Sequence, residues 1–330
     1  METASPLLKV NDLRTWFHTR DGIIRAVDGV SFSIDQGETV GIVGESGCGK
    51  SALFYSLLGL LPMPPARIES GSAFFRGEDL LRASPERQRA LRGRQIAMIF
   101  QDPMTALNPV LTIGEQIAET IFKHEKASKA EAWSKAEEML ETVGIPGVRA
   151  REYPHQFSGG MKQRVVIALS LACNPRLLLA DEPTTALDVT IQAQVLDLMR
   201  GLIKTNNTSV LFITHSLGLV VENCDEVATM YAGEVVEYGT VKQVFGNPLH
   251  PYTKGLLGSL PDYSEGSPRL RPIPGLMPDP TNLPKGCYFS PRCPNVMPQC
   301  HELHPENSSI EGHLVKCHQY QENLHVEQSI

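Results

Sequence analysis

The sequence is short of features that would mark three classes of protein. No apolar run approaches the roughly 18 residues that a membrane-spanning helix needs. The opening residues, METASPLLKVND, lack the basic and apolar segments of a secretory signal peptide, so we expect a cytosolic chain. Basic residues are not in excess either, since the net charge is −7, and this is evidence against a dedicated nucleic-acid binder.

Cysteine is scarce until the C-terminal part of the chain. In a cytosolic protein the seven cysteines indicate thiols or metal ligands rather than disulfides. Cys173 and Cys224 are predicted to be small core residues. The last four lie after residue 248, where proline and glycine are also dense and long periodic runs vanish. We therefore expect two domains, residues 1–248 and a smaller loop-rich unit at 249–330.

The pattern of apolar residues predicts an α/β fold for the larger domain. Residues 1–40 and 66–100 carry short β-like runs, whereas residues 112–174 are mostly helical. The helix within KASKAEAWSKAEEMLETVGI is expected to end near Gly144. Strand and helix patterns alternate from residue 177 to 240, which is typical of a parallel sheet flanked by helices.

Residues 44–51 read GESGCGKS and match the pattern G-x-x-x-x-G-K-[ST]. Glycines let the backbone curl so that its N–H groups point at phosphate oxygens, Lys50 can reach the β- and γ-phosphates, and Ser51 offers a hydroxyl to Mg²⁺. The run ETVGIVG before the loop predicts a buried strand, and SALFYSLLGLL after it predicts a helix ended by the prolines at 62, 64 and 65. A phosphate would lie at a helix N-terminus, so we predict that this loop binds a nucleoside triphosphate.

Two carboxylates end the predicted strand in RLLLADEP. Taken alone, Asp181 and Glu182 are explained as acidic surface residues at the end of a strand. Downstream of a phosphate loop, they are the expected couple of a magnesium ligand and a general base.

Three other polar stretches need an explanation. FSGGMKQR places a second glycine nest, Ser158, Gly159 and Gly160, at the start of a predicted helix. Gln101 and His215 each follow a predicted strand, in IFQDP and ITHS. A polar residue at a turn is the ordinary explanation for either one alone.

Together and in this order, GESGCGKS, IFQDP, FSGGMKQR, LLLADEP, TTALD and ITHS resemble the ATP-binding cassette (ABC) transporter ATPases over about residues 7–245. The resemblance implies a P-loop NTPase fold with a parallel-sheet core, an antiparallel β subdomain and a helical subdomain at about 103–172. It also implies ATP hydrolysis with Mg²⁺.

The resemblance assigns roles to matching positions. Residues implied to hold ATP are Gly44, Glu45, Ser46, Gly47, Cys48, Gly49, Lys50 and Ser51. Magnesium is implied at Ser51, Gln101 and Asp181. Glu182 is the implied base, with Lys50, Gln101 and His215 as the other catalytic residues and Asp188 in the D-loop. Phe17 fits the adenine-stacking position better than Trp16 by spacing, and core packing is the alternative explanation for both.

The second nest also receives a role from the resemblance. In this family two cassettes meet head to tail, and the signature residues Ser158, Gly159 and Gly160 of one cover the ATP of the other. ATP would then favour the closed dimer. Met161 stands where glutamine is commonest and Ser216 where aspartate is usual. Because Glu182 and the phosphate-facing residues are present, a hydrolytic site is still expected.

The C-terminal region narrows the resemblance. NPLHPYTKGLL, PIPGLMPDP and LPKGCYFSPRCPNVMPQC resemble the extension of dipeptide and oligopeptide importer ATPases, whose subfamily includes nickel, glutathione and antimicrobial-peptide importers. The remaining cysteines are Cys287, Cys293, Cys300 and Cys317. Their spacing lacks the short C-x-x-C pairs of common zinc sites, and one interpretation is that the four cysteines are unligated thiols. Composition does not distinguish a zinc site from an iron–sulfur cluster, whereas the resemblance implies that these cysteines hold a 4Fe–4S cluster.

The sequence therefore predicts the ATP-hydrolysing subunit of a peptide importer at the cytoplasmic face of the cell membrane. Expected partners are two permeases, a second related ATPase and a substrate-binding protein, with the helical segment from Thr112 to about Ala172 docking a permease. No nucleic-acid partner is expected. The alternatives are a soluble ABC ATPase acting on ribosomes or DNA, which usually has two cassettes or a long insert, and an exporter, whose cassette is often fused to membrane spans.

Overall fold

A computed structural model describes residues 5–184, 187, 189–259 and 272–321. The chain divides into two compact units. The first comprises Met1–Ser33, Val40–Leu81 and Thr214–Ile330, and the second comprises Ile34–Thr39 and Arg82–Ile213. Within the described ranges, no helix has both the length and the apolar character required to cross a membrane.

The described strands and helices follow the alternation expected from the sequence. The strands are β1 (Leu8–Thr19), β2 (Gly22–Ile34), β3 (Thr39–Val43), β4 (Ala66–Phe75), β5 (Glu78–Asp79), β6 (Ile96–Ile99), β7 (Leu177–Asp181), β8 (Ser209–Ile213), β9 (Glu226–Tyr231), β10 (Glu234–Thr240), β11 (Ser308–Ile310) and β12 (His313–Val315). The helices are α1 (Lys50–Leu58), α2 (Pro85–Leu91), α3 (Pro103–Ala106), α4 (Ile113–His124), α5 (Lys129–Thr142), α6 (Gly159–Leu171), α7 (Val189–Asn206), α8 (Leu217–Asn223), α9 (Val241–Gly246), α10 (Pro251–Gly258) and α11 (Gln299–Glu302).

An antiparallel sheet in the first unit has the strand order β2-β1-β4-β5. Strand β1 pairs with β4 from Leu8 opposite Phe75 to Phe17 opposite Ala66. Leu8 and Val10 are buried while Lys9 between them is exposed, as the two-residue period of a half-buried strand requires. This sheet is the antiparallel β subdomain that the sequence predicted.

A second set of paired strands in the first unit has the order β11-β12-β10-β9-β3. Strands β3 and β9 are parallel, but β9 turns back into β10 through Ala232 and Gly233, both at positive φ (45° and 89°). Such a turn matches the twist of paired strands and makes them antiparallel. The alternating pattern of residues 177–240 had predicted parallel strands, so β10 departs from that expectation. Strands β12 and β11, which the sequence did not reveal, extend the pairing antiparallel to β10.

In the second unit, strands β6, β7 and β8 are parallel, and every residue of β7 and β8 is buried. Helices α4 and α5 begin with capping boxes, in which Thr112 pairs with Glu115 and Ser128 with Glu131. Helix α5 gives way to Gly144 at φ 75°, so its predicted end is confirmed.

Helix α1 ends earlier than the sequence analysis expected. Its last residue is Leu58, and Gly59 follows in the left-handed conformation (φ 60°), donating to Ser56 and Tyr55 carbonyls. A glycine in this conformation is the common helix terminator. The proline cluster was therefore the wrong stop signal.

Candidate functional site

The loop between β3 and α1 has the tightly curled backbone that a phosphate cradle needs. Gly44, Gly47 and Gly49 have φ values of 155°, 81° and 109°. A Cβ added at Gly44 would overlap the carbonyl oxygen of Met230, and one added at Gly49 would overlap that of Ala26. Only glycine fits at these two positions, because any side chain would collide with backbone rather than with a movable group.

Lysine 50 lies across this loop at the start of α1. Its side chain is buried, with 7% of the residue exposed, and its Nζ donates to the carbonyl oxygens of Gly44 (2.8 Å) and Glu45 (3.0 Å). Ser51 is the next residue of the helix. The first N–H groups of a helix attract anions, so the glycine backbone, the ammonium and the helix start form a site suited to a nucleotide phosphate.

Two of the residues assigned to magnesium binding, Gln101 and Asp181, lie in the second unit together with Glu182, the residue assigned to water activation. Asp181 ends β7 and is 2% exposed, with β6 and β8 on either side of that strand. Glu182 follows with φ 46°, a conformation that is uncommon for a side chain with a Cβ, and its N–H donates to the Ile213 carbonyl (2.9 Å). The Gln101 amide donates to the Glu182 carboxylate (Nε2 to Oε2, 3.0 Å). These three sequence-predicted residues are therefore neighbours at the carboxyl end of parallel strands.

The second glycine nest opens α6 in the same unit. The Ser158 hydroxyl caps the helix by accepting from the Met161 N–H (3.4 Å). Gly160 packs against Ile191, which lies 2.6 Å from the place of a Gly160 Cβ, whereas nothing lies within 4 Å of the place of a Gly159 Cβ. Ser158 and Gly159 are exposed, so the N-terminus of α6 is open to a ligand in this chain.

The other predicted site residues lie in the first unit or outside the described ranges. Phe17 is half-buried on β1, and Trp16 points to the opposite face of that strand, with the Arg25 guanidinium 4.9 Å from its ring centre. His215 is exposed between β8 and α8. Asp188 lies outside the described residues. The roles assigned to these four positions stay predictions.

Two residues that the sequence analysis did not single out contact the phosphate loop. The Tyr252 hydroxyl accepts from the Glu45 N–H (2.9 Å), and the Arg292 guanidinium pairs with the Glu45 carboxylate. Tyr252 lies in NPLHPYTKGLL, a stretch that had served only to indicate the subfamily. Arg292 lies in LPKGCYFSPRCPNVMPQC, which had served the same purpose, and nothing local indicates its partner Glu45, 247 positions away.

The four C-terminal cysteines lie close enough to one another to interact. The Cys287 N–H donates to the Cys300 carbonyl (2.9 Å). Burial raises the pKa of Cys287 to about 12, and repulsion by Cys300, Cys317 and Cys293 adds to this. Burial likewise raises the pKa of Cys293 and of Cys317. In the part of the chain that the structure describes, however, no three His, Cys, Asp or Glu side chains are arranged to hold a metal ion.

Two family models match the chain in different regions. The model described as "ABC transporter" matches residues 27–185, which include the phosphate loop, the signature residues and the pair Asp181–Glu182. The model described as "Oligopeptide/dipeptide transporter, C-terminal region" matches residues 236–300. The α/β fold expected from the motifs is confirmed.

Characterised relatives match over almost the whole chain. The dipeptide transport ATP-binding protein DppD of Bacillus subtilis is 50% identical over 94% of this chain and 94% of its own length. The oligopeptide transport ATP-binding protein OppD of Salmonella typhimurium is 48% identical over 98% of this chain and 96% of its own. Among solved structures, the dimeric structure of MJ0796, a bacterial ABC transporter cassette, matches with a TM-score of 0.64 and 27% identity over 71% of this chain and 98% of that one. The chain therefore belongs to the family of ATP-binding subunits of dipeptide and oligopeptide ABC transporters.

Proposed function

We propose that this chain hydrolyses ATP to power the import of dipeptides or oligopeptides across the cytoplasmic membrane. One observation carries the proposal: a complete phosphate loop is followed in the same chain by the C-terminal region of oligopeptide and dipeptide transporters. The names of the similar DppD and OppD proteins support a peptide as the solute. Nickel, glutathione or an antimicrobial peptide is the alternative solute within the same subfamily.

The phosphate loop provides the groups that bind the phosphates of ATP, and the residue that ends β7, Asp181, is one of the proposed magnesium ligands. The Lys50 ammonium, held at the loop by the Gly44 and Glu45 carbonyls, binds β- and γ-phosphate oxygens, and the N–H groups of the loop bind the other phosphate oxygens. The Ser51 hydroxyl, the Gln101 amide and the Asp181 carboxylate provide oxygen ligands of the kind that Mg²⁺ prefers. Magnesium held by these residues would neutralise phosphate charge.

Glu182 is the general base in this proposal. Its carboxylate accepts a proton from the attacking water while Gln101, whose amide donates to it at 3.0 Å, holds it in orientation. His215 contacts the γ-phosphate, where an imidazole N–H stabilises the charge that develops. Phe17 stacks on the adenine, and Asp188 lies in the D-loop.

A second ATPase subunit completes the site. The open N-terminus of α6 at Ser158, Gly159 and Gly160 covers the ATP held by the partner's phosphate loop, and the partner covers this chain's ATP in return. The exposure of Ser158 and Gly159 in the single chain supports this arrangement, as does the dimeric structure reported for the similar cassette MJ0796.

The remaining partners are two permease subunits and a substrate-binding protein, with this chain peripheral at the cytoplasmic face of the membrane. The helical subdomain presents exposed apolar side chains in and beside α4 and near α5, namely Val110, Phe122, Val148 (78% exposed) and Tyr153. Exposed apolar side chains that form a contiguous patch mark a protein-binding surface, and we propose that these four contribute to one. We assign this surface to the permease.

Peptide uptake tests the proposed function directly. The chain is co-expressed with its two permeases and its companion ATPase, the complex is placed in vesicles with the binding protein, and entry of a labelled dipeptide is followed with and without ATP. We expect ATP-dependent uptake that Lys50→Ala abolishes, because this variant loses the charge that binds the phosphates. Uptake of nickel instead of peptide would identify the alternative solute. Recovery of the chain on ribosomes or DNA, without permeases, would contradict the transport function.

We also propose that Cys287, Cys293, Cys300 and Cys317 hold a metal centre, a 4Fe–4S cluster with zinc as the alternative. The neighbouring cysteines contribute, after burial, to the raised pKa of Cys287, Cys293 and Cys317, and this supports the proposal because it indicates thiols that lie in one region. Thiolates are the ligands of both centres, and binding would remove protons that burial otherwise retains. In the structure, which describes all four residues, the thiols are not arranged as a ligand set.

Metal analysis of protein purified without oxygen decides between the possibilities. We expect about four irons and matching sulfide per chain, with visible absorption from thiolate-bound iron. Cys300→Ser should lose this metal, whereas Cys173→Ser, which replaces a cysteine outside the group, should keep it. One zinc per chain would establish the alternative. If the wild-type chain contains no metal and Cys300→Ser does not change its stability, the four thiols are unligated.

A further inference from the structure

We propose that Arg292, from the C-terminal extension, is a positioning residue for the phosphate loop: it holds Glu45 in place and thereby sets how tightly the loop binds ATP. The known ATP-binding function of the family does not assign this role to the extension. The inference comes from an ion pair and from the way in which both of its members are held.

The guanidinium of Arg292 forms a forked pair with the carboxylate of Glu45. One nitrogen lies 2.6 Å from Oε2 and the other 2.9 Å from Oε1. Only 4% of the Arg292 side chain is exposed, whereas a third of the Glu45 side chain is. A pair shielded from water on one side is stronger and more directional than a surface pair.

Arg292 is held in position by contacts that do not involve Glu45. Its Nε donates to the Pro274 carbonyl (2.9 Å), and its guanidinium lies 5.8 Å from the centre of the Tyr231 ring. A guanidinium is not deprotonated in proteins, so the arginine is charged. A fixed cation of this kind can orient a more mobile carboxylate.

The extension also holds the backbone of Glu45. The Glu45 N–H donates to the hydroxyl of Tyr252 (2.9 Å), which is fully buried and packs against Tyr231 and Phe289, with ring centres 4.6 and 5.4 Å away. Side chain and backbone of one loop residue are thus tied to residues beyond position 248. These contacts add to others that hold the loop, such as the bond from the Gly233 N–H to the Cys48 carbonyl (2.9 Å), and they fix Glu45 in particular.

Glu45 connects this support to ATP binding in two ways. The Lys50 Nζ donates to the Glu45 carbonyl (3.0 Å), so a displaced Glu45 displaces the ammonium that binds phosphate. Glu45 also places a carboxylate on a loop that binds anions. Without Arg292 its charge would be uncompensated and would repel the phosphates.

The proposal predicts that Arg292→Gln weakens binding of a fluorescent ATP analogue with Mg²⁺ to the full chain by about 10-fold. In the assembled transporter, KM for ATP should rise by a similar factor while kcat changes less than about threefold, because the groups that act on water are untouched. Arg292→Lys, which keeps the charge but loses the fork, should fall in between.

A double variant tests whether the uncompensated charge of Glu45 weakens ATP binding. If uncompensated Glu45 is the cause, adding Glu45→Gln to Arg292→Gln should restore most of the lost affinity, and a merely structural arginine would give no such recovery. Arg200→Gln is the matched control, because it removes an arginine from an exposed pair with Asp197 on α7. This control should bind the analogue as the wild type does.

Two results would overturn the proposal. One is wild-type affinity in a folded Arg292→Gln chain, with folding checked by circular dichroism and thermal denaturation. The other is a loss of affinity in the Arg200→Gln control that equals the loss in Arg292→Gln. If Arg292→Gln does not fold, the ATP affinity of Arg292→Lys is measured instead, together with that of Glu45→Gln. Wild-type affinity in both of these variants would also refute the role of the pair.

Discussion

A Glu182→Gln subunit binds ATP with Mg²⁺ but hydrolyses it at least about 100-fold more slowly than the wild type. General-base catalysis contributes roughly this factor or more. Glutamine keeps the size of the side chain and its hydrogen-bonding capacity but cannot accept the proton of the attacking water. Since ATP is then retained, the variant should also accumulate as a closed ATPase dimer, because ATP favours that state and no hydrolysis releases it.

Single-turnover hydrolysis and gel filtration with ATP measure the two effects. Glu311→Gln is the matched control, because Glu311 is also a glutamate in the left-handed conformation (φ 51°) but lies on the turn between β11 and β12. It should hydrolyse ATP normally and should not change the dimer fraction. Normal hydrolysis by Glu182→Gln would show that Glu182 is not the base.

A Gly49→Ala subunit loses most of its affinity for ATP. The added methyl group would overlap the carbonyl oxygen of Ala26, and neither backbone segment can move without disturbing β2 or the start of α1. A displaced loop loses N–H groups that bind phosphate oxygens. Loss of two such bonds to a charged group, at roughly 1.5 kcal/mol each, corresponds to about 100-fold weaker binding.

Gly77→Ala separates this collision from the strain of a positive φ. Gly77 has φ 83°, but nothing lies within 4 Å of the place of its Cβ. Its replacement should cost roughly 1–2 kcal/mol of stability and leave ATP affinity unchanged. Equilibrium binding of labelled ATP and thermal denaturation of both variants measure the difference. Equal affinities for Gly49→Ala and wild type would mean that the loop adapts, and that its glycines are not needed for shape.

The secondary structure followed from local patterns where the stabilising contacts are themselves local. Helix α5 was predicted with its end, because Ser128 pairs with Glu131 three residues on and Gly144 closes the helix. Strands β7 and β8 were predicted as strands from the short apolar runs at 177–180 and 210–213, although the strands that they pair with are distant in sequence. The predicted end of α1 was wrong because Gly59 and the proline cluster can each end a helix, and Gly59 comes first along the chain. The antiparallel turn at Gly233 was missed because strand patterns do not reveal direction.

The sequence by itself determined the family, the fold class and the chemistry of the phosphate loop, since these depend on residue types at short spacings. The pairing of Gln101 with Glu182 and of Arg292 with Glu45 was decided only by the tertiary structure. These partners are 81 and 247 positions apart, and no periodic pattern links residues over such distances. The curled backbone of the loop is encoded in its glycines, but the contacts that hold Glu45 come from the C-terminal extension. They exist only when the folded chain brings Arg292 and Tyr252 to the loop.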